Sequence, residues 1–216
     1  PGLGMVDGAR VHVAVDGAAG GQGYRREQGL QAEKESRMSL SIKGAIEWWQ
    51  ELQPDPDRGQ SGDRAALARL RRCATVSEAM QEPATFRLFR RAGGQHSYDL
   101  PPVALAAGVL AHVRKDDLAN PSIPRRIGPT NPDAPETALV KPLRFRRLLE
   151  AETEDERLSA CRRLAAMADQ TLNVRDLCGA LLNWSDNRKR RWVYDYWNAG
   201  EPTQTETASK TEDVTP

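Results

Sequence analysis

Between Ser41 and Asn198 the apolar residues recur at helical spacing, and no run of alternating residues lies between turn signals. Apolar positions three and four apart gather on one face of a helix, whereas a half-buried strand needs strict alternation. The chain therefore reads as all-α. Ser41 to Leu52 forms a helix with Ile42, Ala45, Ile46 and Trp49 on one face, and Pro54 and Pro56 end it. Asp63 caps a second helix running to about Ala74, and Thr75 with Glu78 makes a capping box for a short turn. Pro83 opens a helix through Arg91 that Gly93-Gly94 breaks, and Pro101-Pro102 begin an Ala-rich helix to about Arg114. Pro142 starts a helix through Glu150, and Thr153 with Glu156 opens another to about Asp169. Asn173 caps a helix to Asn183, and Ser185 caps the last, to Trp197 or Asn198.

Residues 120 to 137 contain Pro121, Pro124, Pro129, Pro132 and Pro135 and read as a loop. The expected architecture is two small helical bundles, 38–116 and 138–198, joined by a Pro-rich loop at 117–137. Residues 1–37 are glycine-rich without periodicity, and residues 199–216 are rich in Thr, Glu and Asp; both read as disordered ends. Pro1 opens the chain, and Met38 is followed at once by a helix. Met38 is therefore the expected natural start, with Met5 a second candidate, and 1–37 an upstream extension. The longest apolar run, Val103 to Val113, is interrupted by His112 and is too short to span a bilayer. No charged-then-apolar segment opens the chain. Cys73, Cys161 and Cys178 each fall on an apolar stripe and read as buried free thiols, so the expected location is cytoplasmic.

The charge is nearly balanced, 31 basic residues against 30 acidic. Residues 38–198 carry 25 basic and 21 acidic residues, a modest excess. The choice of base says more: 25 arginines against 6 lysines. Arginine binds phosphate in a planar two-pronged way and stacks on bases, which leans towards nucleic acid; a GC-rich genome inflates arginine as well. On the helix from Asp63, Ala66, Leu67, Leu70, Cys73 and Ala74 share one face, and Arg64, Ala68, Arg71 and Arg72 the other. Small alanines between arginines let a phosphate approach closely, although a solvated charged face reads the same way. The helix from Pro142 behaves similarly: Phe145, Leu148 and Leu149 form the apolar face, Arg146 and Arg147 point away from it, and Arg144 flanks it. Beside them, Arg125 and Arg126 in the proline loop could line the same groove.

Residues 181–197 gather three of the five tryptophans and two of the four tyrosines around Arg188-Lys189-Arg190-Arg191. Helical phasing assigns Trp184, Trp192, Tyr196 and Trp197 mainly to packing, with stacking on bases as the alternative. Enzyme signatures are missing. The glycine run from Gly17 to Gly23 neither follows a strand nor starts a helix, so it is linker rather than a phosphate loop. His12, His96 and His112 have no ligand spacing to each other or to the cysteines. No cofactor, metal or catalytic residue is expected.

Several segments, in order, resemble the CasB family, the small subunit of the type I-E CRISPR surveillance complex Cascade. They are Trp48-Trp49, Asp63 to Leu67 with Arg71-Arg72, Phe86-Arg87-Leu88, Leu143 to Leu149, and Leu182 to Asp186 leading to Arg191 through Tyr196. The resemblance covers about residues 40–198. It implies an all-α, non-catalytic protein present as two copies in Cascade, contacting the backbone and large subunits. It also implies basic surfaces that hold the crRNA–target hybrid and the displaced DNA strand. Residues carried over by matching motifs are Arg71, Arg72, Arg144 and Arg147; Arg64 and Arg146 are added from helical phasing, and Arg125 and Arg126 from their place in the proline loop. A helix-turn-helix DNA-binding regulator is the competing reading, for which Asn183-Trp184-Ser185 is a poor turn because it lacks the usual glycine. An enzyme with an unrecognised site is a third.

Overall fold

Helices begin where capping residues stand. In the computed structural model, which describes residues 40–55 and 59–200, Ser41 Oγ accepts from the Gly44 amide at 3.0 Å and opens α1 (Ile42–Leu52). Asp63 accepts from the Ala66 amide at 2.9 Å and opens α2 (Arg64–Arg72). Thr75 accepts from the Glu78 amide at 3.2 Å before α3 (Val76–Met80). Pro83 opens α4 (Pro83–Arg91), and a 3-10 turn at Ser97–Asp99 leads into α5 (Leu100–Leu110). The expectations for residues 1–37, for Met38 as the start and for the chain beyond Gly200 lie outside the described residues.

The proline-rich segment is not wholly loop, as the sequence suggested. It contains α6 (Ile123–Ile127) and a 3-10 turn at Pro135–Thr137. Proline lacks only an amide that the first turn of a helix leaves unused, so Pro124 and Pro135 start short helical turns instead of forbidding them. Ile123 and Ile127 are buried, and the Ile123 amide donates to Asp176 at 3.0 Å. The C-terminal part comprises α7 (Pro142–Leu149), α8 (Glu154–Met167), α9 (Val174–Leu182) and α10 (Asp186–Trp197). Thr153 and Glu156 form the expected capping box at α8, and Asn173 and Ser185 cap α9 and α10.

The structure is all-α apart from one parallel pair of two-residue strands, β1 (Lys115–Asp116) and β2 (Thr171–Leu172). Strands this short leave no alternation to read. They are brought together after α5 and α8 end, where Asp169 and Gln170 take left-handed backbone angles, φ 51° and 58°.

Helix α5 is the centre of the fold. Every residue from Pro102 to Leu110 is buried, and α3, α4, α8 and α9 all pack on it. A helix apolar all round belongs in an interior, and its small residues let neighbours come close: a Cβ at Gly108 would meet Leu158 Cδ1 at 3.0 Å. Helix α1 is tied in by both of its tryptophans. Trp48 Nε1 donates to the Ala84 carbonyl at 3.0 Å, and Trp49 Nε1 to the Val113 carbonyl at 3.1 Å. Because α9 packs on α1 as well as α5, the two parts on either side of the proline segment share one hydrophobic cluster. Cys73, Cys161 and Cys178 are buried free thiols in it, and burial pushes Cys161 up to about 12. Among the described residues no helix is long and apolar enough to cross a membrane.

Candidate nucleic-acid interface

The α2 arginines divide into anchored and exposed. Arg71 is half-buried and donates from Nε to the Ala111 carbonyl at 2.6 Å, which ties α2 to the end of α5. Burial first, then the Arg114 charge, lowers its pKa. Arg64 and Arg72 are exposed, and Arg72 Nε bonds back to the Ala68 carbonyl at 3.1 Å. The helix itself carries no acid after Asp63, but the fold supplies one from outside it: Arg69 pairs with Glu82 at 2.9 Å. Arg69 and Arg72 line a shallow depression with Glu78 and Glu82.

What holds this end of α2 is Arg162 of α8, which the sequence reading passed over. Its guanidinium donates to the carbonyls of Cys73 at 2.6 Å, Leu70 at 3.1 Å and Gly108 at 3.2 Å. Leu70 lies in the last turn of α2 and Cys73 directly follows it, where carbonyls lack helical partners and a cation is favoured. His112 lies near Arg162 and Arg71. Burial, reinforced by those two cations, pushes its pKa down to about 4, and its Nε2 is buried without a hydrogen-bond partner among the described residues.

A second surface lies between α7 and α8. Arg144 and Arg147 from α7 and Arg163 from α8 line a groove of about 950 Å³, over a floor that includes Val140, Leu148, Leu164 and Met167. Arg144 reaches Met167 Sδ at 3.5 Å. Glu150, Asp155 and Glu156 also border the groove, so three carboxylates stand beside its three guanidiniums, two of the carboxylates fixed in place by backbone amides. Asp155 accepts from the Val76 amide at 2.7 Å, and Glu156 from the amides of Glu152 and Thr153 at 3.0 and 3.1 Å. These backbone bonds are what lower the Glu156 pKa. Arg146 is exposed but does not line the groove. Arg163 was missed because only the packing of α7 on α8 brings it beside Arg144 and Arg147; helical phasing alone gives an outward residue without a neighbour.

Arg125 and Arg126 do not join that groove. The Arg125 side chain is 14% exposed and faces Asp195 at 3.7 Å. Arg126 pairs with Asp117 at 3.1 Å and donates to the Ala168 carbonyl at 3.2 Å. Both sit on α6, whose apolar side chains fix it against the core, so its arginines turn towards internal carboxylates rather than solvent. In the aromatic ending, Trp192 and Tyr196 are fully buried, as phasing indicated. Tyr196 stacks on Phe145, centroids 4.1 Å apart, and its hydroxyl donates to the Val140 carbonyl at 2.6 Å. Trp184 meets Trp192 edge-on at 5.2 Å, and Trp197 keeps an exposed edge.

A family model described as CRISPR-associated protein Cse2 matches residues 66–197. The chain belongs to the Cse2 family. The match runs from within α2 to the last residue of α10, so it takes in Arg71, Arg72, the groove arginines and the aromatic ending, while Arg64 precedes it. It supports the CasB resemblance read from the sequence: Cse2 proteins are structural subunits of the type I-E Cascade complex. No curated relative and no solved structure matches the chain. Against a helix-turn-helix role for this Cse2 chain, Arg188 of α10 turns inward to Asp176 at 3.4 Å, and Lys189 lies 6.0 Å from the Trp184 ring centroid.

Proposed function

We propose that this Cascade subunit is a non-catalytic clamp for nucleic-acid backbone. Its exposed arginines hold phosphates of the crRNA–target hybrid and of the displaced DNA strand and so stabilise the R-loop in antiviral defence. The observation that carries the reading is the convergence of Arg144, Arg147 and Arg163, from two helices, on one open groove. Guanidiniums suit phosphate oxygens, and phosphate contacts position a strand without reading its bases. Sequence reading is then left to guide–target pairing, as in other RNA-guided effectors. Arg64 and Arg72 on α2 form a second, smaller contact surface, with Arg71 as its anchor. Cascade backbone and large subunits, and a second copy of this chain, are the partners this role requires.

The test is Cascade assembled with Arg144→Ala, Arg147→Ala and Arg163→Ala together. Assembly with guide RNA is expected to persist, while opening of target DNA, read by permanganate footprinting of the displaced strand, falls and becomes less salt-dependent. Unchanged footprints across the salt range would sink the reading.

A further inference from the structure

The α7–α8 groove sets Arg144, Arg147 and Arg163 beside an apolar floor, with Glu150, Asp155 and Glu156 also on its border, so an acidic peptide would have to pair with the guanidiniums locally rather than meet a uniformly cationic surface. One such peptide belongs to the same chain. Residues 201–216 carry Glu201, Glu206, Glu212 and Asp213 against a single base, Lys210, and offer Val214 to an apolar surface. We propose that this acidic segment docks in the α7–α8 groove and competes there with nucleic acid.

The place where the described chain ends favours that groove. Gly200 lies against the Thr130 carbonyl, with no room for a Cβ. The Thr130 segment follows Ile127, whose carbonyl accepts from the Val140 amide at 3.0 Å, and Val140 lines the groove. Tyr196, one turn before the exit, also bonds the Val140 carbonyl at 2.6 Å. The described chain thus ends against Thr130, three residues after the Ile127 that pairs with groove-lining Val140. Extended, the 16 residues from 201 to 216 reach up to about 55 Å. The stretch of α8 that borders the groove, Asp155 to Met167, is only about 18 Å long at 1.5 Å per residue.

Tethering makes a weak contact sufficient. Individual exposed ion pairs are weak and screened by salt, but a segment held beside its site acts at an effective concentration on the order of millimolar. Occupancy between about one half and four fifths then weakens binding of a competitor about two- to fivefold, because only the open fraction binds. The segment acts as a threshold, displaced when a strand supplies more phosphates than it supplies carboxylates.

The competition rests on the proposed binding of nucleic acid in the groove; the docking itself does not. The experiment compares the full chain with a variant carrying Glu201→Gln, Glu206→Gln, Glu212→Gln and Asp213→Asn. The first readout is residue-resolved modification of arginines by phenylglyoxal, followed by mass spectrometry. Arg144, Arg147 and Arg163 should gain reactivity in the variant at about 50 mM salt, and the difference should shrink at about 200 mM; Arg64 and Arg72 should not change. Equal reactivity of the groove arginines in the two proteins would overturn the docking. The second readout is affinity for oligothymidine, expected to tighten about two- to fivefold in the variant. Increased groove reactivity with unchanged affinity keeps the docking and removes the groove from the nucleic-acid surface.

Discussion

The Arg162 guanidinium donates to the Cys73 carbonyl at 2.6 Å, and through this bond α8 holds the end of the arginine-bearing helix α2. Its neighbour Arg163 does something else entirely: it lines the open α7–α8 groove. Two adjacent arginines thus divide the work, one closing a helix terminus inside the fold and the other facing outward.

That division predicts opposite phenotypes. Arg162→Met removes three hydrogen bonds and leaves carbonyls of Leu70, Cys73 and Gly108 short of a donor. Bonds from a charged donor are individually worth about 1.5–3 kcal/mol, and an orphaned buried acceptor costs about 1–3 kcal/mol. With Arg162 only half-buried, water recovers part of this, and the expected loss is about 3 kcal/mol in urea denaturation. Arg163→Ala should stay within about 0.5 kcal/mol of the parent while weakening single-strand binding. Similar losses of stability in the two variants would contradict the assignment.

The pattern of what the sequence disclosed follows from these residues. Caps and helix faces are local, so Ser41, Asp63, Thr153 and Ser185 marked helix starts correctly, and Trp192 and Tyr196 could be phased into the core. The helix ends were less sharp: α5 stops at Leu110 and α8 at Met167, short of the expected Arg114 and Asp169. The roles of arginines depend on partners far along the chain. Arg162 reaches Leu70 across 92 positions, and Arg126 turns to Asp117 and Ala168. No local pattern distinguishes such an arginine from Arg147, since both stand outside an apolar stripe.

Stability should depend on pH through His112. Its folded-state pKa is pushed down to about 4 by burial, with Arg162 and Arg71 adding repulsion, against about 6.5 in an unfolded chain. Between these values the unfolded chain holds a proton that the folded protein does not, so stability rises with pH across the window. Acidification from about pH 6.5 towards pH 4 should therefore lower the melting temperature. His112→Gln, which cannot take up the proton, should flatten that part of the profile while leaving the carboxylate-driven fall at lower pH. An identical slope in the parent and variant would show that His112 is not the group responsible.

Tyr196→Phe tests the joint between α10 and α7. The substitution keeps the ring stacked on Phe145 but removes the hydroxyl that donates to the Val140 carbonyl. The expected cost is about 1–2 kcal/mol, from a lost hydrogen bond and a buried acceptor left unmet. Since Val140 borders the groove, Arg144 and Arg147 should also show faster backbone hydrogen exchange on α7. A thermal shift without any change in α7 exchange would mean that the helix is held by its apolar contacts alone.

Arg126 and Arg147 make the most discriminating pair, because helical phasing and loop position had offered both as phosphate contacts. Arg126→Ala would strand Asp117, a carboxylate only 6% exposed, with Asn120 as its remaining side-chain donor at 2.8 Å. Removing one partner of a buried pair costs about 3–5 kcal/mol when no other donor helps; with Asn120 retained, a loss of about 2–3 kcal/mol is expected. Binding to oligothymidine by the fraction that remains folded should keep the parental salt dependence. Arg147→Ala is exposed and groove-lining, so folding should hardly change, while the slope of log affinity against log salt falls by about 0.7 for one lost contact to a single strand. Measuring both variants for urea stability and salt slope separates the two roles. A reduced salt slope for Arg126→Ala, with the parental slope kept by Arg147→Ala, would reverse the assignment and move the phosphate surface from the α7–α8 groove to α6.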